Sequence, residues 1–187
     1  MQKIKICKTR EVKTPEYGTP GSAGIDFFVP DFTESFLSDL YKNEVNKEQM
    51  RLGKLLLRDK DILLRGHGRV VIPSGIKADL LGFKRNYEEL PKGWDIALVA
   101  KNKSGVGSKK GFDRLAELID SDYQGEICIN IVNTGELEQS VFPNDKLIQF
   151  VLMPIIKAEI VVEDEKKLFK MSSERGDGGF GHTDKNK

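Results

Sequence analysis

Histidine and cysteine are scarce in this chain of 187 residues, and their scarcity argues against several kinds of site. The two histidines, His67 and His182, are too few and too far apart for a typical zinc site. The two cysteines, Cys7 and Cys128, form no CxxC pair. They fit a reducing compartment, and we expect each to be buried as a small apolar side chain.

An excess of charge of either sign is also missing. Lysine and arginine number 30 against 29 aspartate and glutamate residues, for a formal net charge of +1. Proteins that grip long nucleic acids usually carry a basic excess, so no nucleic-acid partner is expected, whereas a small anionic ligand remains compatible. No stretch approaches a membrane span, and the N-terminal MQKIKICKTR lacks the apolar core of a signal peptide. The sequence predicts a soluble, cytoplasmic protein without a membrane partner.

Short runs of alternating or continuous apolar residues, separated by glycine and proline, make up most of the chain. Period-two alternation and β-branched residues are the signature of strands. The runs are KIKIC, WDIALVAK, GEICINIVN, KAEIVVEDE and the almost wholly apolar LIQFVLMPII, which we expect to be buried on both faces. Many short strands of this kind predict an all-β sandwich or barrel.

Two segments break this rhythm. TESFLSDLYKNEVNKEQM, residues 33–50, places Phe36 and Leu40 at helical spacing behind Thr33, a suitable N-cap, and predicts a helix. GFKRNYEELPKG, residues 82–93, is polar and predicts a long loop. Both segments look like additions to a β core.

Two glycine-containing stretches carry groups suited to an anion. PGSAGIDFF holds Asp26 shortly after a glycine, although a turn feeding a strand would explain the same letters. KNKSGVGSKKG offers Lys103, Ser104 and the N–H of Gly105. Such a loop can hold phosphate, but it lacks the Walker spacing and no helix clearly follows it.

The stretch LIDSDYQGE, residues 118–126, carries the most information. Asp120 and Tyr123 stand directly before a well-patterned strand, where a plain hairpin turn is the simpler interpretation. A carboxylate held near a polyphosphate can act as a general base for water. Gln149 interrupts an apolar strand, and since a buried amide needs partners, it either faces a site or is a satisfied core residue.

The most glycine-dense stretch, ERGDGGFGHTD, lies at residues 174–184. Successive glycine N–H groups can wrap an anion, Arg175 can grip it, and Phe180 can close over a flat group. An unstructured tail is the alternative, because chain ends are often disordered.

Taken in order, five stretches resemble the five motifs of the trimeric deoxyuridine triphosphatase (dUTPase) family. They are AGID, KSGVGSKKG, IDSDYQGE, NDKLIQF and ERGDGGFG. The resemblance covers most of the chain, except the segments near 33–57 and 82–93 and part of the N-terminal strand. These insertions suggest a viral, phage or otherwise divergent member, and make the helical insertion a candidate surface for a protein partner.

The resemblance implies a distorted jelly-roll fold that assembles as a homotrimer with active sites shared between subunits. Residues 1–170 would form the jelly-roll domain and residues 171–187 a mobile arm. The implied reaction is hydrolysis of dUTP to dUMP and pyrophosphate. Asp120 would activate the water that attacks the α-phosphorus, and Tyr123 would pack against the deoxyribose and exclude a 2′-hydroxyl.

The same resemblance implies how the triphosphate is held. Ser104 and the Gly105 N–H, beside Lys103, would bind phosphate oxygens, and Gln149 would do so from a neighbouring subunit. Asp26 would organise nearby polar groups and the waters of Mg²⁺. The metal itself would be held by phosphates and water rather than directly by the protein, as suits an ion that dehydrates reluctantly.

The arm would close over the bound nucleotide. Phe180 would stack on the uracil and Arg175 would reach the terminal phosphate. The surrounding glycines would let the backbone approach the phosphates; they are Gly178, Gly179 and Gly181.

Some positions depart from the family pattern. Lys103 stands where arginine is usual, which keeps the charge but loses the planar fork, so altered phosphate affinity is expected. The segment before Asp120 is slightly short, with residues 112–114 where the turn of the uracil-reading hairpin is expected. Two other functions stay open: a dCTP deaminase of the same fold, and a nucleotide-sensing or interaction protein that has lost the chemistry.

Overall fold

The computed structural model describes residues 2–178, and most of its regular structure is β-strand. The strands are β1 Lys5–Lys8, β2 Glu16–Tyr17, β3 Ile25–Asp26, β4 Leu55–Leu57, β5 Ile62–Leu64, β6 Arg69–Pro73, β7 Ile76–Asp79, β8 Trp94–Asn102, β9 Phe112–Arg114, β10 Leu118–Ile119, β11 Cys128–Asn133, β12 Gln139–Val141 and β13 Ile148–Ile156. The helices are α1 Glu34–Lys42, α2 Glu44–Arg51, α3 Leu80–Arg85, α4 Ser104–Lys110 and α5 Glu165–Leu168. The chain divides into two units, Met1–Lys157 with all these strands, and Ala158–Lys187.

The strands of the first unit pair antiparallel in small sheets. The largest has the order β10-β8-β13-β3-β2, beside the three-stranded sheets β6-β11-β9 and β12-β5-β4 and the pair β1-β7. Its longest pairing joins β8 to β13, from Asn102 opposite Ile148 to Trp94 opposite Ile156. The all-β architecture predicted from the alternating runs is confirmed.

The core is built from the inward faces of these strands. Ile129 and Ile131 in β11 are fully buried, as the period-two pattern predicts. Phe27 and Phe150 pack with their ring centroids 4.5 Å apart. Because apolar burial is the main favourable contribution to folding, these inward positions hold the sheets together.

The predicted helix over residues 33–50 is two helices. The Thr33 hydroxyl caps α1 by accepting the Phe36 N–H at 3.2 Å, as expected. Asn43 then takes an extended conformation, ends α1, and caps α2 by accepting the Asn46 N–H at 3.2 Å. The break follows from Asn43, because its side chain satisfies amides that a continuous helix would have bonded through the backbone. Phe36 and Leu40 are both completely buried.

The helical insertion is joined to the core by polar contacts as well. The Asn46 side chain accepts the Val71 N–H at 2.9 Å and donates to the Val71 carbonyl at 2.9 Å, and the Gln49 carbonyl oxygen accepts the Arg69 N–H at 3.1 Å. Strand β6 is an edge strand, whose free backbone groups invite pairing with another chain. The insertion therefore covers that edge.

Two predicted elements differ from the structure. The segment 82–93 is partly helical, because Asp79 caps α3 by accepting the Gly82 N–H at 2.7 Å. The run from Ala158 to Glu163 was predicted as a strand and forms none; Ile160 is 93% exposed. Alternation gives a segment strand propensity, but a strand also needs a neighbouring strand to complete its hydrogen bonds.

Burial also departs from expectation at two places. Strand β13 is buried at Phe150 but 68% exposed at Ile156, so it is not covered on both faces throughout. Cys7 and Cys128 are both exposed, where burial was predicted, because each stands at an outward position of its strand. Among residues 2–178, no helix is long and apolar enough to cross a membrane.

Candidate active site

The turn between β10 and β11 presents the Asp120 carboxylate and the Tyr123 ring. The Tyr123 N–H donates to the Asp120 carbonyl at 3.2 Å, and its hydroxyl donates to the Glu126 carbonyl at 3.0 Å. A Cβ on Gly125 would stand 2.3 Å from the Tyr123 hydroxyl oxygen, so the ring lies flat against a position that needs glycine. Asp120 is exposed, and Tyr123 is 46% exposed. The turn is compact, with its two functional groups open to solvent.

Asp120 and Tyr123 line one cavity of about 200 Å³, together with Ile119, Asn130 and Phe150. Burial, then the charges of Cys128 and Glu126, raise the pKa of the Tyr123 phenol. The tyrosine is therefore a neutral hydrogen-bond donor near neutral pH. A flat, neutral wall beside an exposed carboxylate suits a sugar next to a phosphate ester.

An ion pair that the sequence did not reveal anchors this turn. The Arg10 guanidinium donates to both oxygens of Glu126, at 3.0 and 2.8 Å, and to Asp39 on α1 at 3.1 Å. The pKa of Arg10 is raised, chiefly by the hydrogen bond to Glu126. A bidentate arginine–carboxylate pair fixes orientation as well as distance. Arg10 thus ties the end of the turn to the helical insertion.

A second cluster surrounds Asp26, whose side chain is almost fully buried on β3. Lys103 forms an ion pair with one of its oxygens, and Lys146 lies 3.3 Å from the other. Gln149, opposite Asp26 in the sheet, donates its amide N–H to the Asn102 carbonyl at 3.1 Å and packs against Gly24. Gln149 is half-buried and keeps its amide oxygen without a partner among the described hydrogen bonds.

The expected phosphate loop opens a helix, contrary to the sequence prediction. Lys103 is the N-cap of α4, and its carbonyl accepts the N–H groups of Val106 and Gly107. Ser104 and Gly105 are exposed in the first turn, where amide groups have no intrahelical acceptor and attract anions. The helix was hidden because three glycines lie in or just after its seven residues, and glycine disfavours helices. It ends at Gly111, whose φ of 66° requires glycine.

Residues 112–114, expected at the tip of a hairpin, form strand β9 instead and pair with β11. The connection from β9 to β10 is therefore residues 115–117, whose side chains are exposed. The side chains of Asn102 and Asp113 hydrogen-bond at 2.6 Å, which joins the base of this hairpin to the end of β8.

Within one chain the two clusters stay apart. Ile119 pairs with Leu98 in β8, whereas the Asp26 cluster adjoins Asn102 at the far end of that strand. At about 3.4 Å per residue, the four residues from Leu98 to Asn102 span roughly 14 Å. The general-base candidate and the phosphate loop are therefore separated by more than a hydrogen-bond distance, and a single subunit does not bring them together.

The C-terminal candidates belong to the second unit. The Arg175 side chain donates to the Gly178 carbonyl at 2.9 Å, and Gly176 adopts a φ of 56° in this turn. Gly179, Phe180 and Gly181 lie outside the described residues. Within residues 2–178, no group of three or more His, Cys, Asp or Glu side chains is arranged to hold a metal ion.

Comparison with known proteins gives one consistent family. A protein-family model described as dUTPase matches residues 101–184. The chain is 38% identical over 185 residues to the deoxyuridine 5'-triphosphate nucleotidohydrolase of Serratia proteamaculans, covering 96% of this chain and 94% of that protein. It is 30% identical over 186 residues to the protein of the same name from Pectobacterium carotovorum, with the same two coverages.

Among solved structures, the dUTPase of Staphylococcus bacteriophage 80alpha with dUpNHpp is similar in fold. The TM-score is 0.66 at 18% sequence identity, covering 98% of this chain and 99% of that chain. At this identity the likeness speaks to the fold, and it confirms the fold class predicted from the sequence.

Proposed function

The chain belongs to the dUTPase family and is a dUTP diphosphatase that hydrolyses dUTP to dUMP and pyrophosphate; from that premise we propose how its own residues perform the reaction. The observation that carries the proposal is the turn in which Asp120 and Tyr123 line the same cavity. Asp120 accepts a proton from the water that attacks the α-phosphorus. An exposed carboxylate can meet such a water without rearrangement of the protein.

Tyr123 forms the wall against which the deoxyribose packs. Its hydroxyl is held by the Glu126 carbonyl, and Glu126 is itself held by Arg10. This chain of contacts fixes the ring plane, so a 2′-hydroxyl would meet a wall that cannot retreat. The exclusion of ribonucleotides is steric.

The phosphates bind at the start of α4. Ser104 and the Gly105 N–H donate to phosphate oxygens, and Lys103 supplies positive charge. The ion pair between Lys103 and Asp26 orients that ammonium, which replaces the orientation that an arginine fork would have supplied. The Lys103 departure from the family pattern is thus compatible with binding.

A homotrimer with shared sites explains the separation of the two clusters. Asp120 and the phosphate loop lie at opposite ends of the β8 pairing, so Gln149 and Ser104 of one subunit complete the site at the Asp120 turn of another. The helical insertion covers its own β6, so a protein partner there would use the outer side, where Tyr41 and Leu52 are exposed.

Mg²⁺ is the implied cofactor, and the donor set fits an ion carried in with the triphosphate. Both oxygens of Asp26 face lysines, so this carboxylate acts on the metal through water at most. Mg²⁺ prefers substrate phosphates and waters with few protein ligands. When bound, it supplies charge neutralisation of the triphosphate.

The C-terminal segment closes the site. Residues 1–170 form the jelly-roll domain with its two insertions, and residues 171–187 the arm. Arg175 exchanges its contact with Gly178 for the terminal phosphate, Phe180 stacks on the uracil, and the backbone at Gly178, Gly179 and Gly181 approaches the phosphates. Charge-assisted contacts offset the cost of ordering the arm.

The reaction is tested by product analysis with dUTP, dCTP, dTTP and UTP in parallel, with Mg²⁺, following pyrophosphate and ammonia. We expect pyrophosphate from dUTP alone. In the Tyr123→Ala variant, we expect the preference for dUTP over UTP to fall about 10- to 100-fold, because the wall is gone. Ammonia from dCTP would identify a deaminase instead, and bound dUTP without any product would identify a sensor.

A further inference from the structure

Strand β8 carries a buried carboxylate that the reaction described above does not use. Asp95 is only 4% exposed, yet it faces two ammonium groups: Lys157 Nζ at 2.6 Å and Lys84 Nζ at 3.1 Å. It also accepts the N–H of Ile96 at 2.8 Å. Burial raises the pKa of Asp95, but the hydrogen bonds from Lys157, Ile96, Lys84 and Ser121 together hold it well below its usual range. Asp95 is therefore a fixed negative charge.

The two lysines at Asp95 differ in what else they face. Lys84 is on α3, whereas Lys157 directly follows β13 and lines a cavity of about 210 Å³ with Asp95, Asp120 and Asp122. The hydrogen bond to Asp95 is the main reason that the pKa of Lys157 is raised, and the charges of Asp122 and Asp120 raise it further. Only Lys157 connects the buried carboxylate with the turn that carries Asp120.

The turn meets the same cluster through Ser121. This residue is 9% exposed between two exposed aspartates, and its hydroxyl interacts with the Asp95 carboxylate. The turn is thus held from the Arg10–Glu126 pair at one end and from Asp95 and Lys157 at the other. Two anchors, at the start and at the end of a short turn, define the direction of the side chains between them.

We propose that Lys157 is a positioning residue for dUTP hydrolysis: Asp95 fixes its ammonium beside Asp120 and Asp122, and this contact holds the turn in the geometry that presents Asp120 to the attacking water. The inference rests on the proposed function, because it assigns Asp120 the role given there. A free surface lysine would contribute little, since ordering its side chain offsets the attraction. Lys157 differs because the buried Asp95 already orders its ammonium.

Lys84 provides a matched control, because it pairs with the same carboxylate without facing the turn. We expect Lys157→Gln to lower kcat about tenfold with KM within twofold, since small displacements of a reacting group cost up to about 100-fold. Lys84→Gln should leave kcat within about twofold of wild type, and Lys157→Arg should restore most of the rate by keeping the ion pair, as geometry rather than chemistry is at issue. Steady-state kinetics with dUTP on the full-length proteins gives all four values.

A second readout does not depend on turnover. Hydrogen exchange of the backbone amides in residues 120–126 should be faster in Lys157→Gln than in Lys84→Gln at matched thermal stability. Equal kcat in the two glutamine variants, or equal exchange in this turn, would overturn the positioning role. A wild-type protein that releases no pyrophosphate from dUTP would contradict the proposed function instead, while the exchange comparison would still decide the role of Lys157.

Discussion

Replacing Asp120 with asparagine should lower the turnover number for dUTP by about two to four orders of magnitude, the usual contribution of a general base. Asparagine keeps the size and polarity of the side chain but cannot accept the proton of the attacking water. Tyr123 and Glu126 remain in place because their contacts use backbone carbonyls and Arg10. Binding of a non-hydrolysable dUTP analogue, measured by calorimetry, should therefore stay within a few-fold of wild type.

The matched control is Asp59→Asn, which makes the same chemical change at an exposed position in the loop before β5. Its kcat and KM should equal those of the wild-type enzyme. Turnover by Asp120→Asn close to the wild-type rate would show that another group activates the water. A joint loss of turnover and analogue binding would point to a role in holding the nucleotide.

Deleting residues 174–187 should lower kcat/KM for dUTP by about 100- to 1,000-fold. The deletion removes the Arg175 contact to phosphate and the Phe180 stack, and one charge-assisted hydrogen bond is worth about 1.5–3 kcal/mol. Together with an aromatic contact of about 1 kcal/mol, this corresponds to two to three powers of ten. The loss should be measured by continuous detection of pyrophosphate release.

Deleting only residues 185–187 provides the control for this truncation, because every residue assigned to the arm's motif is retained. Light scattering should give the same oligomeric mass for the full chain and both truncations. If the longer truncation dissociated the assembly, its kinetic loss would follow from broken shared sites, and the arm would be chiefly an assembly element rather than a lid.

The sequence predicts local features of this fold well, because these depend on nearest neighbours. Alternation predicted β11, with Ile129 and Ile131 inside, and Thr33 was correctly identified as an N-cap. The alternation at Ala158–Glu163 was misleading, since a strand exists only beside a partner strand. Local pattern gives a propensity, and long-range pairing decides whether it is realised.

The side chains that support the candidate site could not be predicted from such patterns. Arg10 and Glu126 stand 116 residues apart, and no periodicity links them. Asp95 appeared only as one polar member of an alternating strand, yet it is buried and ion-paired. The roles of Asp120 and Tyr123 came from resemblance to a family, and the contacts that hold them came from the structure.

Hydrolysis in water enriched in ¹⁸O tests the central claim most directly, because it reports which phosphorus the water attacks. A single turnover with excess enzyme, dUTP and Mg²⁺ should place the label in dUMP and leave pyrophosphate unlabelled. Label in pyrophosphate would mean attack at the β-phosphorus, and would contradict a site in which Asp120 directs water to the α-phosphorus.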